Sequence, residues 1–211
     1  MTQPQAMRNN TALPPDQPGY FDALFSQSDD PWSFKTRWYE RRKRALTLAA
    51  LPLERYDHGF EPGCANGELS SRLATRCRHL LVSDGIDKAV ALSRERLKDH
   101  RNVEVRKAWM PRDWPRDTFD LIVLSEFLFY LKPAVVEDIA RLAQASLAPN
   151  GTLLACHWRH PIAGCELTGD DAHAILERVV ERPRQCQIVE PDLRLDVWAT
   201  GPSVAEREHI S

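Results

Sequence analysis

A loop of small residues, followed by an acidic residue, is the part of this sequence best suited to bind a nucleoside. The loop reads EPGCANG over residues 61–67, in which Gly63 and Gly67 permit a tight turn and a close approach of ligand to backbone. Asp84 follows at the end of a short apolar run, where a carboxylate can accept both hydroxyls of a ribose. We therefore predict a nucleoside site here; the opposing interpretation is that the glycines only shape a turn.

The spacing of the small residues argues against a dinucleotide cofactor. Pyrophosphate binding requires the pattern G-x-G-x-x-G at the start of a helix, and counting from Gly63 the later positions hold Ala65 and Glu68. Glu68 also places negative charge where a pyrophosphate would lie. The loop therefore favours a ligand with a ribose and no phosphate, such as S-adenosylmethionine, over the cofactor of a nicotinamide-dependent oxidoreductase.

Alternating strand and helix patterns predict where these residues lie. Strands are indicated at residues 57–61, 80–83 and 103–105, and by continuous apolar runs at 121–124 and 152–156. Helical patterns separate them; one places Leu69, Leu73 and Cys77 on a single face. Residues 149–151 indicate a turn, residues 170–180 a helix, and strands at 185–189 and 193–199 a closing hairpin. The predicted fold is α/β: a Rossmann-like, doubly wound, seven-stranded, mostly parallel sheet with a terminal antiparallel hairpin.

Four segments are expected along the chain. Residues 1–19 form a disordered tail, 20–55 an N-terminal helical lid, 56–200 the ligand-binding domain and 201–211 a flexible tail. A helix is predicted over residues 34–51, ended by Pro52. Because the lid precedes the first strand, we expect it to cover the ligand through Trp32, Trp38, Tyr39 and Glu40.

The predicted lid helix also carries a basic run. Nucleic-acid contact is one interpretation, and a solvated helix face is the other. The spacing of Phe34, Trp38, Ala45 and Leu48 favours an apolar inner face and a solvated basic face. The basic residues are Lys35, Arg37, Arg41, Arg42, Lys43 and Arg44.

Composition sets the expected environment. The 211 residues carry a formal net charge of −2, which indicates neither a nucleic-acid nor a membrane partner. The five widely spaced cysteines include no CxxC pair, so no disulfide framework is expected. The first residues lack the apolar run of a signal peptide, and we expect a cytoplasmic protein whose oligomeric state the sequence leaves open.

The loop and its acid resemble the first motifs of class I S-adenosylmethionine-dependent methyltransferases, with Ala65 in place of the middle glycine. The stretches Asp29-Asp30-Pro31-Trp32, Glu61-Pro62-Gly63-Cys64 and FDLIVLSEFLFYL (residues 119–131) resemble the NodS family of nodulation methyltransferases, which methylate the free amine of a deacetylated chitooligosaccharide. The resemblance covers roughly residues 29–154. It implies a small-molecule N-methyltransferase that uses S-adenosylmethionine.

The resemblance also implies roles for the ligand-binding residues. The backbone of Gly63, Cys64, Ala65 and Gly67 is expected to lie against the methionine part of the cofactor, with Glu61 towards its amino group and Asp84 on its ribose. After the third strand, where the family places an acid on the adenine, this chain has Trp109 and Met110. Trp109 is expected to stack on the adenine and Met110 to offer a backbone amide, the alternative for Trp109 being a core aromatic. Trp32 and Ser125 complete the predicted cofactor site.

Three residues are candidates for catalysis. Glu126, after the fourth strand, can hold or deprotonate an acceptor amine, or can instead cap a helix. Tyr130 is either a wall of the acceptor site or a packed ring. His157, after the fifth strand, can act as a base. The N-P-P-Y signature of adenine and glutamine methyltransferases is absent at the fourth strand.

The histidines and cysteines near the fifth strand admit other interpretations. Arg159 can bind an anionic group of the substrate, and His173 is expected to be structural. A zinc site from Cys156, His157, His160 and Cys165 is disfavoured because strand alternation directs Cys156 away from His157. We predict no metal.

The leading hypothesis from the sequence is N-methylation of a small amine such as a deacetylated amino sugar. The alternatives are a small-molecule O-methyltransferase using His157 as base, and a non-catalytic module that binds the cofactor.

Overall fold

A computed structural model describes residues 19–210. The predicted N-terminal tail therefore lies outside the described residues, apart from Gly19. Two helices, α1 (Tyr20–Gln27) and α2 (Trp38–Ala50), come first. The rest alternates: β1 (Tyr56–Pro62), α3 (Ser70–Leu73), β2 (Cys77–Asp84), α4 (Asp87–Leu97), β3 (Val103–Lys107), β4 (Phe119–Ser125), a 3-10 turn (Leu128–Tyr130), α5 (Pro133–Ser146), β5 (Leu147–Trp158), α6 (Gly169–Val179), β6 (Arg184–Val189), β7 (Leu193–Ala199) and α7 (Val204–Arg207).

The seven strands form one sheet in the order β3-β2-β1-β4-β5-β7-β6. The first five are parallel to one another, and β7 is antiparallel to both β5 and β6. The predicted doubly wound sheet with its closing hairpin is therefore confirmed. The strand order reverses between β1 and β4, and open α/β sheets bind ligands at the carboxyl edge beside such a point.

Helices cover both faces of the sheet because its central strands are apolar on both sides. Phe60, Ile122 and Leu124 pack with the helices α5 and α6, and Leu121, Val123 and Leu154 belong to a second buried cluster on the other face. Each of these central side chains is nearly inaccessible to solvent. In residues 19–210 no helix has the length and apolarity needed to cross a membrane.

Several local predictions were wrong. The helix expected from residue 34 begins at Trp38, because the Asp30 carboxylate accepts the backbone N–H groups of Phe34 and Lys35 and holds a turn there. Cys77 does not continue a helix; it is the first residue of β2, paired with Tyr56 of β1. Residues 149–151 lie within β5, at an irregularity between the Phe119–Leu147 and Leu121–Thr152 pairs. Residues 204–207, in the predicted C-terminal tail, form one helical turn capped by Ser203.

Candidate active site

A cavity of about 430 Å³ opens at the carboxyl edge of the sheet, beside the reversal of strand order. This volume is sufficient for a small-molecule ligand. Its floor is formed by the segments that follow β1, β2, β3 and β4, and its roof by α1, α2 and the loop between them. Residues of the predicted lid segment 20–55 therefore line the same cavity as the glycine loop.

The glycine loop reaches the cavity through a strained backbone. Gly63 and Ala65 line the cavity with φ values of +73° and +49°, in the left-handed region that side chains with a Cβ disfavour. Cys64 also lines it, and its N–H donates to the Ser83 carbonyl at 2.9 Å, joining the loop to the end of β2. Gly67 does not line the cavity: with φ of +78°, a Cβ there would lie 3.2 Å from Ser93 Oγ of α4. Its role is thus close packing of the loop on α4.

Asp84 is positioned by backbone donors. Its two carboxylate oxygens accept the N–H groups of Ala65 and Ile86, each at 3.0 Å. Burial raises the pKa of Asp84, and these donors oppose the rise. Since Asp84 lines the cavity, it can accept ligand hydroxyls next to the glycine loop.

Glu61 lies deeper, at the carboxyl end of β1, with only 3% of its surface exposed. Burial raises the pKa of Glu61 to about 8; the nearby Ser70 hydroxyl opposes this rise and Asp84 adds to it. Within the described part of the chain, Glu61 Oε2 has no hydrogen-bond partner. A buried carboxyl group that lacks a cationic partner and lines a cavity is suited to receive an ammonium group from a ligand.

Trp109 and Met110 line the cavity on the side of β2 and β3. The Trp109 ring lies against Gly85 so closely that a Cβ there would come within 2.5 Å of it, and the ring stays 46% exposed. Its backbone N–H donates to the Asp113 carboxylate at 2.9 Å. Part of the indole ring therefore stays accessible beside the cavity, and its stacking on an adenine stays a prediction.

Ser125, the last residue of β4, lines the cavity, as do Glu126 and Tyr130, which follow the strand. Glu126 has φ of +61°, and its N–H donates to the Cys156 carbonyl at 3.0 Å, which fixes the backbone at the end of the sheet. A non-glycine residue in this conformation is often found at functional sites. Its carboxylate Oε1 lies 3.2 Å from Lys43 Nζ, and Lys43 Nζ lies 2.8 Å from Glu40 Oε2.

Aromatic side chains of the lid segment form the other wall. Trp32 stacks on Phe34 at 5.4 Å and meets Phe25 edge-on at 5.6 Å, and Phe25 in turn packs with Ile86 of the floor. Tyr39 meets Trp158 edge-on at 5.4 Å. Of the four predicted lid residues, Trp32, Tyr39 and Glu40 line the cavity, whereas Trp38 is 68% exposed and lies outside it.

The prediction of an apolar inner face on α2 was wrong. Its buried residues are Glu40, Lys43, Arg44 and Thr47, all of which line the cavity. Their spacing follows one helical face, so a charged stripe with periodicity 0, 3, 4 and 7 was the signal in the sequence. Sequence reasoning assigned Lys43 and Arg44 to solvent because amphipathic helices usually bury an apolar face.

His157 does not lie in the cavity, so its prediction as a base was wrong. It alternates with Cys156 along β5: the thiol contacts the α2 side, and the imidazole points to the opposite face of the sheet. There His157 Nδ1 pairs with His173 Nε2 at 3.0 Å, and His173 Nδ1 with Asp196 at 2.6 Å. Burial, with His173 nearby, holds the pKa of His157 well below its usual range. Both histidines are structural.

Arg159 is not available to a substrate anion in this structure. It forms an ion pair with Asp170 at 2.8 Å and donates to the Glu190 carbonyl at 2.6 Å. Among residues 19–210, no three His, Cys, Asp or Glu side chains converge as metal ligands. Two guanidinium groups that the sequence did not suggest, Arg37 and Arg44, line the cavity instead.

Comparison with known proteins gives a consistent result. The family model described as Nodulation protein S (NodS) matches residues 24–190. Nodulation protein S of Sinorhizobium fredii (strain NBRC 101917 / NGR234) is 29% identical over 157 residues, covering 66% of this chain and 68% of that protein. The Rhizobium tropici protein of the same name is 32% identical over 141 residues, covering 60% of this chain and 54% of that protein.

Solved structures agree in fold. A Pseudomonas syringae protein assigned as a methyltransferase is 50% identical, with a TM-score of 0.70, covering 77% of this chain and 99% of that chain. The N-methyltransferase NodS from Bradyrhizobium japonicum WM9, solved with S-adenosyl-L-homocysteine, is 24% identical, with a TM-score of 0.69, covering 86% of this chain and 96% of that chain.

Proposed function

This chain belongs to the NodS family, and from that premise we propose that it methylates the nitrogen of a small-molecule amine, with a deacetylated amino sugar as the leading candidate. That it is an S-adenosylmethionine-dependent methyltransferase follows from the family and its structural relatives. The acceptor and the methylated atom are the proposed part.

The cavity residues fit the cofactor at each of its parts. We infer that Asp84 accepts the ribose hydroxyls, that Trp109 stacks on the adenine and that the unsatisfied Glu61 oxygen receives the ammonium group, which the position of all three beside one cavity supports. Arg44 also lines the cavity; its guanidinium donates to the Phe34 carbonyl at 2.8 Å and lies 3.9 Å from Glu68, and we infer that its remaining N–H groups bind the carboxylate. When bound, the cofactor supplies a sulfonium-linked methyl group.

The position of the Glu126 carboxylate in the cavity is the observation that supports nitrogen as the acceptor atom. Methyl transfer to an amine requires the neutral amine and yields an ammonium group, so a carboxylate beside the nitrogen assists both states. Burial raises the pKa of Glu126, which Lys43 opposes, so the carboxylate is suited to accept a proton. Transfer to a hydroxyl group would need a stronger base, and the histidine proposed for that task lies outside the cavity.

The walls around Glu126 favour a flat, polar acceptor. Tyr39 and Trp158 offer ring surfaces that can pack on the C–H faces of a sugar, and Asp192 also lines this part of the cavity. Residues of the predicted lid line one side of the cavity, and exclusion of water favours in-line methyl transfer. These features, together with the family's own acceptor, support an amino sugar.

Acceptor screening tests the proposal. The protein is incubated with S-adenosylmethionine and either glucosamine oligomers, their N-acetylated forms or simple diols, and S-adenosylhomocysteine release is measured. We expect turnover with the free amines alone and an N-methyl signal in the product NMR spectrum. An O-methyl product would support the alternative enzyme class, and cofactor binding without turnover on any acceptor would indicate a binding module.

Glu126→Gln keeps the shape of the side chain and removes its basicity. We expect it to lower kcat by about 100-fold or more, the range for one general base, while S-adenosylhomocysteine affinity changes less than about threefold. Glu137→Gln, the same change in α5 outside the cavity, where the carboxylate pairs with Arg141, is the matched control. Wild-type turnover by Glu126→Gln would remove the carboxylate from the mechanism.

A further inference from the structure

Lys43 is a cation held inside the acceptor side of the cavity. Its side chain is 5% exposed, and its ammonium lies 2.8 Å from Glu40 and 3.2 Å from Glu126. It also lies over the rings of Phe34 and Tyr39, at 5.8 and 5.3 Å from their centroids. Burying a lysine costs several kcal/mol, so carboxylates and rings must compensate for the lost hydration.

The other groups that face Glu126 carry no positive charge. From α2 these are Tyr39 and Glu40, from β5 the Cys156 thiol, and after β4 the Tyr130 hydroxyl. Burial raises the pKa of Cys156 to about 12 and those of both tyrosines above their usual range, so all three are neutral near pH 7. Within residues 19–210, Lys43 is therefore the one cation in contact with the two carboxylates.

The positive charge of Lys43 keeps the carboxyl group of Glu126 ionised. Burial alone would lower the pKa of Lys43, but Glu126 and Glu40 outweigh it and raise the value, so the ammonium persists. Burial and the nearby Glu40 carboxylate raise the pKa of Glu126, and the Lys43 ammonium opposes the rise. Removing the ammonium would therefore favour the protonated form of Glu126.

We propose that Lys43 is a positioning residue that keeps Glu126 ionised and directed at the acceptor amine, so that helix α2 completes the acceptor site. The inference rests on the proposed role of Glu126. The hydrogen bond from the Glu126 N–H to the Cys156 carbonyl fixes the backbone of Glu126. The Lys43 ammonium, next to Oε1, then fixes the direction of its carboxylate. With Glu40, the cluster keeps one negative charge in excess, which suits the ammonium formed by methyl transfer.

Carboxyl titration tests this without any acceptor. The full chain, saturated with S-adenosylhomocysteine, is labelled with ¹³C at glutamate carboxyl groups, and the Glu126 resonance is identified by its loss in Glu126→Gln. We expect Lys43→Met to move the Glu126 midpoint upward by at least about one pH unit, and Lys43→Arg to leave it within about half a unit. An unchanged midpoint in Lys43→Met would overturn the proposal.

A second variant, Glu40→Gln, is expected to shift the titration midpoint of Glu126 in the opposite direction. It leaves Lys43 to pair with Glu126 alone, so the Glu126 midpoint should move downward, which a merely structural role would not produce. An upward or absent shift in Glu40→Gln would also overturn the proposal. In kinetics, the acid limb of kcat/KM should follow the Glu126 midpoint in each variant.

Failure of this inference and failure of the proposed function give different results. Unchanged Glu126 midpoints overturn the role of Lys43 alone. Full turnover by Glu126→Gln overturns the amine-binding role of the carboxylate, and with it the directing role of Lys43, whatever the titration shows.

Discussion

Replacing Glu61 by glutamine should abolish the proton release that accompanies cofactor binding. Glu61 is buried at the end of β1, has a pKa raised to about 8, and has an unsatisfied oxygen in the cavity. Near pH 7 it therefore carries a proton in the free protein. To receive an ammonium group it must lose that proton, and the bound cation then holds its pKa down.

The magnitude follows from the raised pKa. Well below pH 8, each pH unit costs about 1.4 kcal/mol of binding free energy, so affinity for S-adenosylhomocysteine should fall about 50-fold between pH 8 and pH 6. The free energy of unfolding changes with pH in the opposite direction to the affinity. Because the folded pKa exceeds the unfolded value of 4.5, the stabilisation is present below about pH 4.5 and is lost as the pH rises towards 8.

Calorimetry measures the released proton directly. Titrating S-adenosylhomocysteine at pH 7 in two buffers of different ionisation enthalpy gives the number of protons exchanged. We expect close to one proton released by the wild type and none by Glu61→Gln. 5′-Methylthioadenosine, which lacks the amino acid part, should release none from either protein.

A matched control separates Glu61 from other cavity carboxylates. Glu68 also lines the cavity but is already paired with Arg96 at 2.9 Å, so Glu68→Gln should leave the proton count unchanged. Equal proton release by Glu61→Gln and the wild type would refute the reasoning.

Three further substitutions have expected outcomes. Asp84→Ala removes the acceptor between Ala65 and Ile86 and should weaken S-adenosylhomocysteine binding by at least about tenfold by calorimetry; unchanged affinity would exclude the ribose role. Arg44→Met should weaken that ligand about tenfold yet spare 5′-methylthioadenosine, and equal losses for both would exclude a carboxylate contact. Gly67→Ala should cost about 1–3 kcal/mol of stability in urea unfolding, because φ is +78° and the new Cβ meets Ser93; wild-type stability would contradict this.

The features predicted from the sequence are those that local pattern determines. Continuous apolar runs specify buried parallel strands, and a loop of small residues after the first strand specifies a ligand-binding turn. The positions of Gly63, Ala65 and Asp84 beside one cavity follow from strand ends alone, since parallel strands present their carboxyl ends at one edge.

The errors arose where a side chain's direction depends on distant contacts. The side to which His157 points is set by the register of β5 between β4 and β7, and a shift of one residue would exchange it with Cys156. The helical spacing of α2 could be read from the sequence. Which of its side-chain stripes faces the cavity could not.

By itself, the sequence determined the α/β fold, the nucleoside loop and the identity of Asp84 and Glu126 as cavity residues, because these depend on neighbours along the chain. Only the tertiary structure decided that the charged stripe of α2 faces inward. It brings Lys43 against Glu126, 83 positions later in the chain, and the carboxylates there compensate for the cost of burying the lysine.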